Sequence, residues 1–95
     1  MSVTSFTDQF APGVIVGESV SEVFAYAKEN SFALPAANCV GTNSLNSVME
    51  TAASRNAPVI IQFSNSGGAF VAGKGFPEQG IPASIAGSIA GAQHV

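Results

Sequence analysis

An α/β fold built on parallel strands is what this sequence predicts, and three observations carry the prediction. Helical and extended patterns alternate along the chain in the order helix, strand, helix, strand, glycine-rich loop, helix. The second extended segment, "PVIIQF" (residues 58–63), is an unbroken apolar run, the pattern of a strand covered on both faces as in parallel sheets. Finally, 46% of the 95 residues are hydrophobic and only 9% are charged, more apolar than a domain this small usually is. The composition therefore predicts a piece of a larger fold whose remainder covers these apolar faces.

The elements follow in order. "GESVSEVFAYAKENS" sets Val20, Val23, Phe24 and Ala27 on one stripe at helical spacing, with Glu18 early and Lys28 late to complement the macrodipole, so residues 18–30 are predicted helical. "FALPAANC" is a short, mostly apolar run. Pro35 suits a central strand poorly, yet a strand of about five or six residues fits here. "GTNSLNSVMETAASRNA" offers Thr42 or Asn43 as N-cap, places Leu45, Val48, Met49 and Ala52 on one face, and is closed by Asn56. After "PVIIQF", the segment "SNSGGAFVAGKG" (residues 64–75) reads as a glycine-rich turn and "GFPEQGIP" as irregular. "ASIAGSIAGAQHV" then resumes a helical stripe in Ile85, Ile89 and Ala92. This is the start of a βαβα series with right-handed crossovers, and two strands alone would both be edges, so the pattern predicts further strands.

Charge and composition exclude several function classes. The net charge is −3, and the three basic residues, Lys28, Arg55 and Lys74, are scattered, which leaves no footprint for a phosphodiester backbone. Nucleic acid is not an expected partner. "MSVTSFTDQF" lacks the basic start and apolar core of a secretory signal, and no apolar run is long enough to cross a bilayer, so a cytoplasmic location and no membrane partner are expected. Cys39 is the single cysteine, so this chain forms no internal disulfide and no cysteine-based structural zinc site.

The same accounting removes most catalytic centres. A mononuclear catalytic zinc needs three protein ligands, commonly histidines, and His94 is the only one, so it reads as a surface or packing residue. Asp8, Glu18, Glu22, Glu29, Glu50 and Glu78 do not converge by spacing into an acid/base pair. Nothing supports a triad of His94 with a serine and Asp8. Cys39 has no positioned base and reads as a small buried thiol.

Gly68 to Lys74 matches the P-loop spacing G-x-x-x-x-G-K, in which backbone amides cradle phosphates, but Gly75 stands where the motif needs a hydroxyl for magnesium. What remains is a broader phosphate signal, together with polar groups just past the two strands. In parallel α/β folds ligands bind at the carboxyl ends of strands, which places Asn38 and Ser64 on one rim. Asn38 can orient a carbonyl or hydroxyl, and Ser64 with the amides of Asn65 to Gly68 can hold a phosphate. Both can equally serve as caps of the turns that follow, and the two readings stand side by side.

The ordered set "FALPAAN", "APVIIQFSNSGGAFVAGKG" and "SIAGAQHV" resembles the N-terminal portion of class II fructose-bisphosphate aldolases, from about Gly13 to the end of the chain. The resemblance implies a TIM (β/α)8 barrel, of which residues 1–95 supply the N-terminal helix and the first two βα units, as an incomplete part of a single domain. It implies a zinc-dependent lyase of glycolysis and gluconeogenesis, probed by its reversible cleavage of fructose 1,6-bisphosphate to dihydroxyacetone phosphate and glyceraldehyde 3-phosphate, and a homodimer. In that family the serine matching Ser64 contacts a substrate phosphate at the glyceraldehyde phosphate end, and the asparagine matching Asn38 lies in the substrate pocket. The zinc polarises the ketone and an aspartate transfers the proton; that aspartate and the zinc ligands match positions beyond Val95, so the resemblance assigns no catalytic or metal residue to this segment. Relatives acting on tagatose 1,6-bisphosphate share the architecture and remain an open alternative. A stand-alone, non-catalytic module binding a phosphometabolite or a partner through its exposed strands is the rival from another class, and a P-loop phosphotransferase is the third.

Overall fold

The computed structural model describes residues 6–77 and 80–95. Glu78, counted above among the carboxylates, lies outside the described residues. Seven elements follow one another: α1 (Phe6–Gln9), α2 (Glu18–Glu29), β1 (Ala36–Asn38), α3 (Thr42–Ser54), β2 (Ile60–Gln62), α4 (Asn65–Ala72) and α5 (Ala83–His94). β1 and β2 pair in parallel, with Ala36 opposite Ile60, Ala37 opposite Ile61 and Asn38 opposite Gln62. Helix α3 is the crossover between them, so the expected βαβ unit is present.

Both strands are shorter than their apolar runs. Pro35 has no amide to donate, yet its carbonyl accepts from Ile60 N at 2.9 Å, and Cys39 N donates to Gln62 O at 3.0 Å, so the ladder reaches one residue past β1 at each end. The expectation that "PVIIQF" is covered on both faces fails within this chain. Ile61 is half-buried but Ile60 is 40% exposed, because a two-stranded sheet offers no further strand or helical layer to that face.

Helix α3 starts one residue earlier than its expected caps. Gly41 is the N-cap, and Ser44 supplies the capping contacts: its Oγ accepts from Gly41 N at 3.2 Å and donates to Gly41 O at 2.8 Å. Leu45 is fully buried, Val48, Met49 and Ala52 are half-buried on the expected face, and Asn56 closes the helix at φ 51°.

Helix α2 buries Val23 and Ala27 as expected but turns Phe24 outward, and buries Tyr26 in its place. The cause is α1 and the loop after α2. Tyr26 meets Phe6, Phe10 and Phe32 edge-on, at ring centroid distances of 5.5, 5.9 and 5.9 Å. Phe6 stacks on Phe10 at 4.6 Å. The stacked and edge-on contacts of these four rings favour Tyr26 as the inward residue.

The largest departure concerns the glycine-rich segment. Residues 65–72 are not a turn but helix α4, although Gly67 and Gly68 in its interior each cost about 1 kcal/mol relative to alanine. Its formation therefore rests on tertiary contact, and α5 supplies it. Helix α5 presents Ala83, Gly87 and Gly91 inward and leaves the expected stripe, Ile85 and Ile89, about half exposed. Gly87 allows an approach to the α4 backbone, and Gly91 an approach to the Phe63 ring, that isoleucine side chains would prevent, so the small-residue face goes inward and the isoleucines point away.

Candidate functional site

The carboxyl ends of the two strands form a rim on which the sequence-predicted residues meet. Asn38 is the last residue of β1 and lies opposite Gln62, the last residue of β2. The chain then runs extended through Ser64, at φ −76° and ψ 169°, and enters α4. A Cβ placed on Gly67 would lie 3.1 Å from Cys39 O and 3.4 Å from Val40 Cγ1, so the first turn of α4 sits against the backbone that leaves β1. One helix N-terminus thus overlies the end of the neighbouring strand.

Ser64 is the N-cap of α4. Its Oγ accepts from Gly67 N at 3.0 Å and lies 3.3 Å from Ser66 Oγ, while its carbonyl accepts from Gly68 N at 2.8 Å. The capping reading therefore holds for Ser64. It does not compete with ligand contact, because a hydroxyl that accepts one bond keeps a proton to donate, and the Ser64 side chain is exposed. The first amides of the helix, those of Asn65 and Ser66, have no carbonyl of their own helix to bond, which is the arrangement that favours an anion at this end.

Asn38 caps nothing. Its Oδ1 accepts from Gln62 Nε2 at 2.9 Å across the strand pair. With the carbonyl side of the amide engaged, the exposed NH2 group is left as a donor, suited to an oxygen of a carbonyl, hydroxyl or phosphate. Gln62 was missed by sequence reasoning. The available signal was its place as the one long polar side chain inside "PVIIQF", the fifth of its six residues and directly before the rim.

The other candidates do not join this rim. Lys74 lies beyond the C-terminal end of α4, about 12 Å of helix away from Ser64, and exposed. In a P-loop the lysine opens the helix, whereas here the matching spacing is itself helical, so the nucleotide-binding reading is overturned. His94 Nε2 lies 2.8 Å from Asn46 Oδ1, tying the end of α5 to α3 as a packing contact. Cys39 is 1% exposed, with its Sγ directed at Ala37 O. A shallow groove of about 260 Å³ between α1 and α2, lined by Gln9, Phe10, Glu22, Ala25, Tyr26 and Glu29, contains none of the rim residues.

The family model for class II fructose-bisphosphate aldolases matches residues 18–94, which is most of the chain and includes the whole rim. The chain belongs to this family. It is 60% identical over 88 residues to the fructose-bisphosphate aldolase of Edwardsiella ictaluri, covering 93% of this chain and 25% of that protein. Against the class 2 fructose-bisphosphate aldolase of Escherichia coli K12 it is 59% identical over 90 residues, with the same coverage. The crystal structure of the Campylobacter jejuni fructose-bisphosphate aldolase superposes with a TM-score of 0.87 at 45% identity, over 98% of this chain and 26% of that one. The chain thus spans about a quarter of the length of the curated relatives it matches. Its N-terminal helix and two βα units are the opening of the aldolase TIM barrel, which explains a parallel sheet with open faces.

The donor groups among the described residues of this aldolase segment do not fit a metal ion. Among the described residues no group of three or more His, Cys, Asp or Glu side chains lies close enough to hold one. The single histidine is engaged with Asn46, and the single thiol is buried. Among the described residues, no helix is long and apolar enough to cross a membrane.

Proposed function

We propose that the protein to which this chain belongs reversibly cleaves fructose 1,6-bisphosphate to dihydroxyacetone phosphate and glyceraldehyde 3-phosphate, and that residues 1–95 are the N-terminal part of its single barrel domain. The observation that carries the reading is the family match extending across the whole rim, residues 18–94. Within it, Ser64 donates its hydroxyl proton to a phosphate oxygen at the glyceraldehyde phosphate end of the substrate. The Asn65 and Ser66 amides add fixed positive ends of the α4 dipole at the same place. Asn38, with its Oδ1 held by Gln62, offers its NH2 to a substrate oxygen further along the sugar.

Among the described residues no group of three or more His, Cys, Asp or Glu side chains could hold the zinc of the family, and its ligands are assigned to chain beyond these residues. What this segment contributes is binding and orientation of the substrate, which lowers the barrier by holding the reacting atoms in place. The reading also carries a role in glycolysis and gluconeogenesis, a homodimer and a cytoplasmic location.

The test uses the full-length protein with its metal bound. Cleavage of fructose 1,6-bisphosphate should be measured alongside tagatose 1,6-bisphosphate, and preference for the tagatose epimer would reassign the substrate. Ser64→Ala should lower kcat/KM with metal content unchanged, and unaltered kinetics would remove Ser64 from the site.

A further inference from the structure

We propose that Gly68 and Gly87 are positioning residues for substrate phosphate: the contact between their backbones sets where the N-terminus of α4 stands over the strand ends. The inference rests on the phosphate reading of Ser64 above. A helix with two interior glycines next to its cap is weak by itself, so something else must place it. The placing contact is with α5. A Cβ on Gly87 would overlap the Gly68 carbonyl oxygen, and would stand 2.6 Å from Gly68 C and 2.9 Å from Ala72 N. From the other side, a Cβ on Gly68 would overlap Ser84 O and lie 2.6 Å from Ser88 Oγ.

These obstacles are mostly backbone atoms and cannot swing aside. Carbon atoms rest about 3.5–4.0 Å apart and the Gly68 carbonyl oxygen is overlapped outright, so one methyl at residue 87 must shift α4 by more than about 1 Å relative to α5. Gly68 N is bonded to the Ser64 carbonyl and Gly67 N to its hydroxyl, so the displaced backbone is joined directly to the groups that would hold the phosphate. A Cβ on Gly67 would stand 3.1 Å from Cys39 O, so α4 has little room to move on the β1 side. The glycines on α5 touch no substrate; they act through the cap.

The experiment compares fructose 1,6-bisphosphate with fructose 1-phosphate, which lacks the phosphate at the Ser64 end, using the metal-loaded full-length enzyme. Gly87→Ala should reduce the ratio of the two kcat/KM values at least about tenfold, by misplacing the phosphate contacts by about 1 Å or more, and Ser64→Ala should reduce the same ratio. A general loss of structure would instead lower both substrates together. If Ser64→Ala lowers the ratio and Gly87→Ala leaves it unchanged, the positioning proposal is overturned while the phosphate reading stands. If Ser64→Ala leaves the ratio unchanged, both are overturned. Should Gly87→Ala fail to fold, Ser88→Thr adds one methyl to the same contact while keeping the hydroxyl that bonds Ser84 O at 2.7 Å. It should lower the ratio by a smaller factor, and an unchanged ratio there also overturns the proposal.

Discussion

The two ends of this segment hold their helices together by opposite means. At the N-terminal end, α1 and α2 are joined by large side chains, with Phe6, Phe10 and Phe32 gathered around Tyr26. At the C-terminal end, α4 and α5 are joined where side chains are missing, at Gly68 and Gly87. Rings can re-pack when one is trimmed, because side-chain rotation takes up part of the change. Backbone against backbone cannot, so the glycine contact fixes position closely and tolerates little. The rim residues lie beside the rigid contact, where placing a phosphate demands accuracy.

Substitutions in the full-length protein can break or sharpen this contrast. Gly68→Val should have the largest effect, about 3 kcal/mol or more of lost stability in urea unfolding, since overpacking meets Ser84 O and has nowhere to go. A loss below that of an aromatic trim would erase the contrast. Ser64→Ala should cost about 1.5–3 kcal/mol in kcat/KM for the bisphosphate, one to two orders of magnitude, by loss of a charge-assisted bond. Phe10→Leu should cost only about 1 kcal/mol in thermal unfolding, the scale of ring–ring contact beyond area, with catalysis untouched. Gln62→Ala should lower kcat/KM by about 1 kcal/mol, severalfold, as the Asn38 amide loses its neutral partner, with no change in Tm. His94→Ala should be smallest, about 0.5 kcal/mol in stability, because the contact with Asn46 is exposed.

Much of the fold was legible because it is written in local periodicity. The ranges of α2 and α3, the closing Asn56, the parallel pair and the rim positions of Asn38 and Ser64 all follow from apolar spacing and from the order of elements. Gln62 was not legible, since its pairing with Asn38 depends on strand register rather than on its neighbours in sequence. The inward face of α5 was misread for a related reason. Hydrophobicity favours burying Ile85 and Ile89 if a helix meets a side-chain-rich neighbour, but α4 offers bare backbone at Gly68.

By itself the sequence determined what the chain is made of: an α/β series with strands in parallel, a single histidine and a single cysteine, and a serine and an asparagine at strand ends. Its ordered motifs also carried the resemblance to class II aldolases that the family match bears out. Only the tertiary structure decided that the glycine-rich segment is a helix, that glycines rather than isoleucines face it, and that the Asn38 carbonyl is engaged. The physical reason is that periodicity records which residues prefer to leave water, whereas close backbone approach and amide orientation depend on what stands opposite, often dozens of residues away.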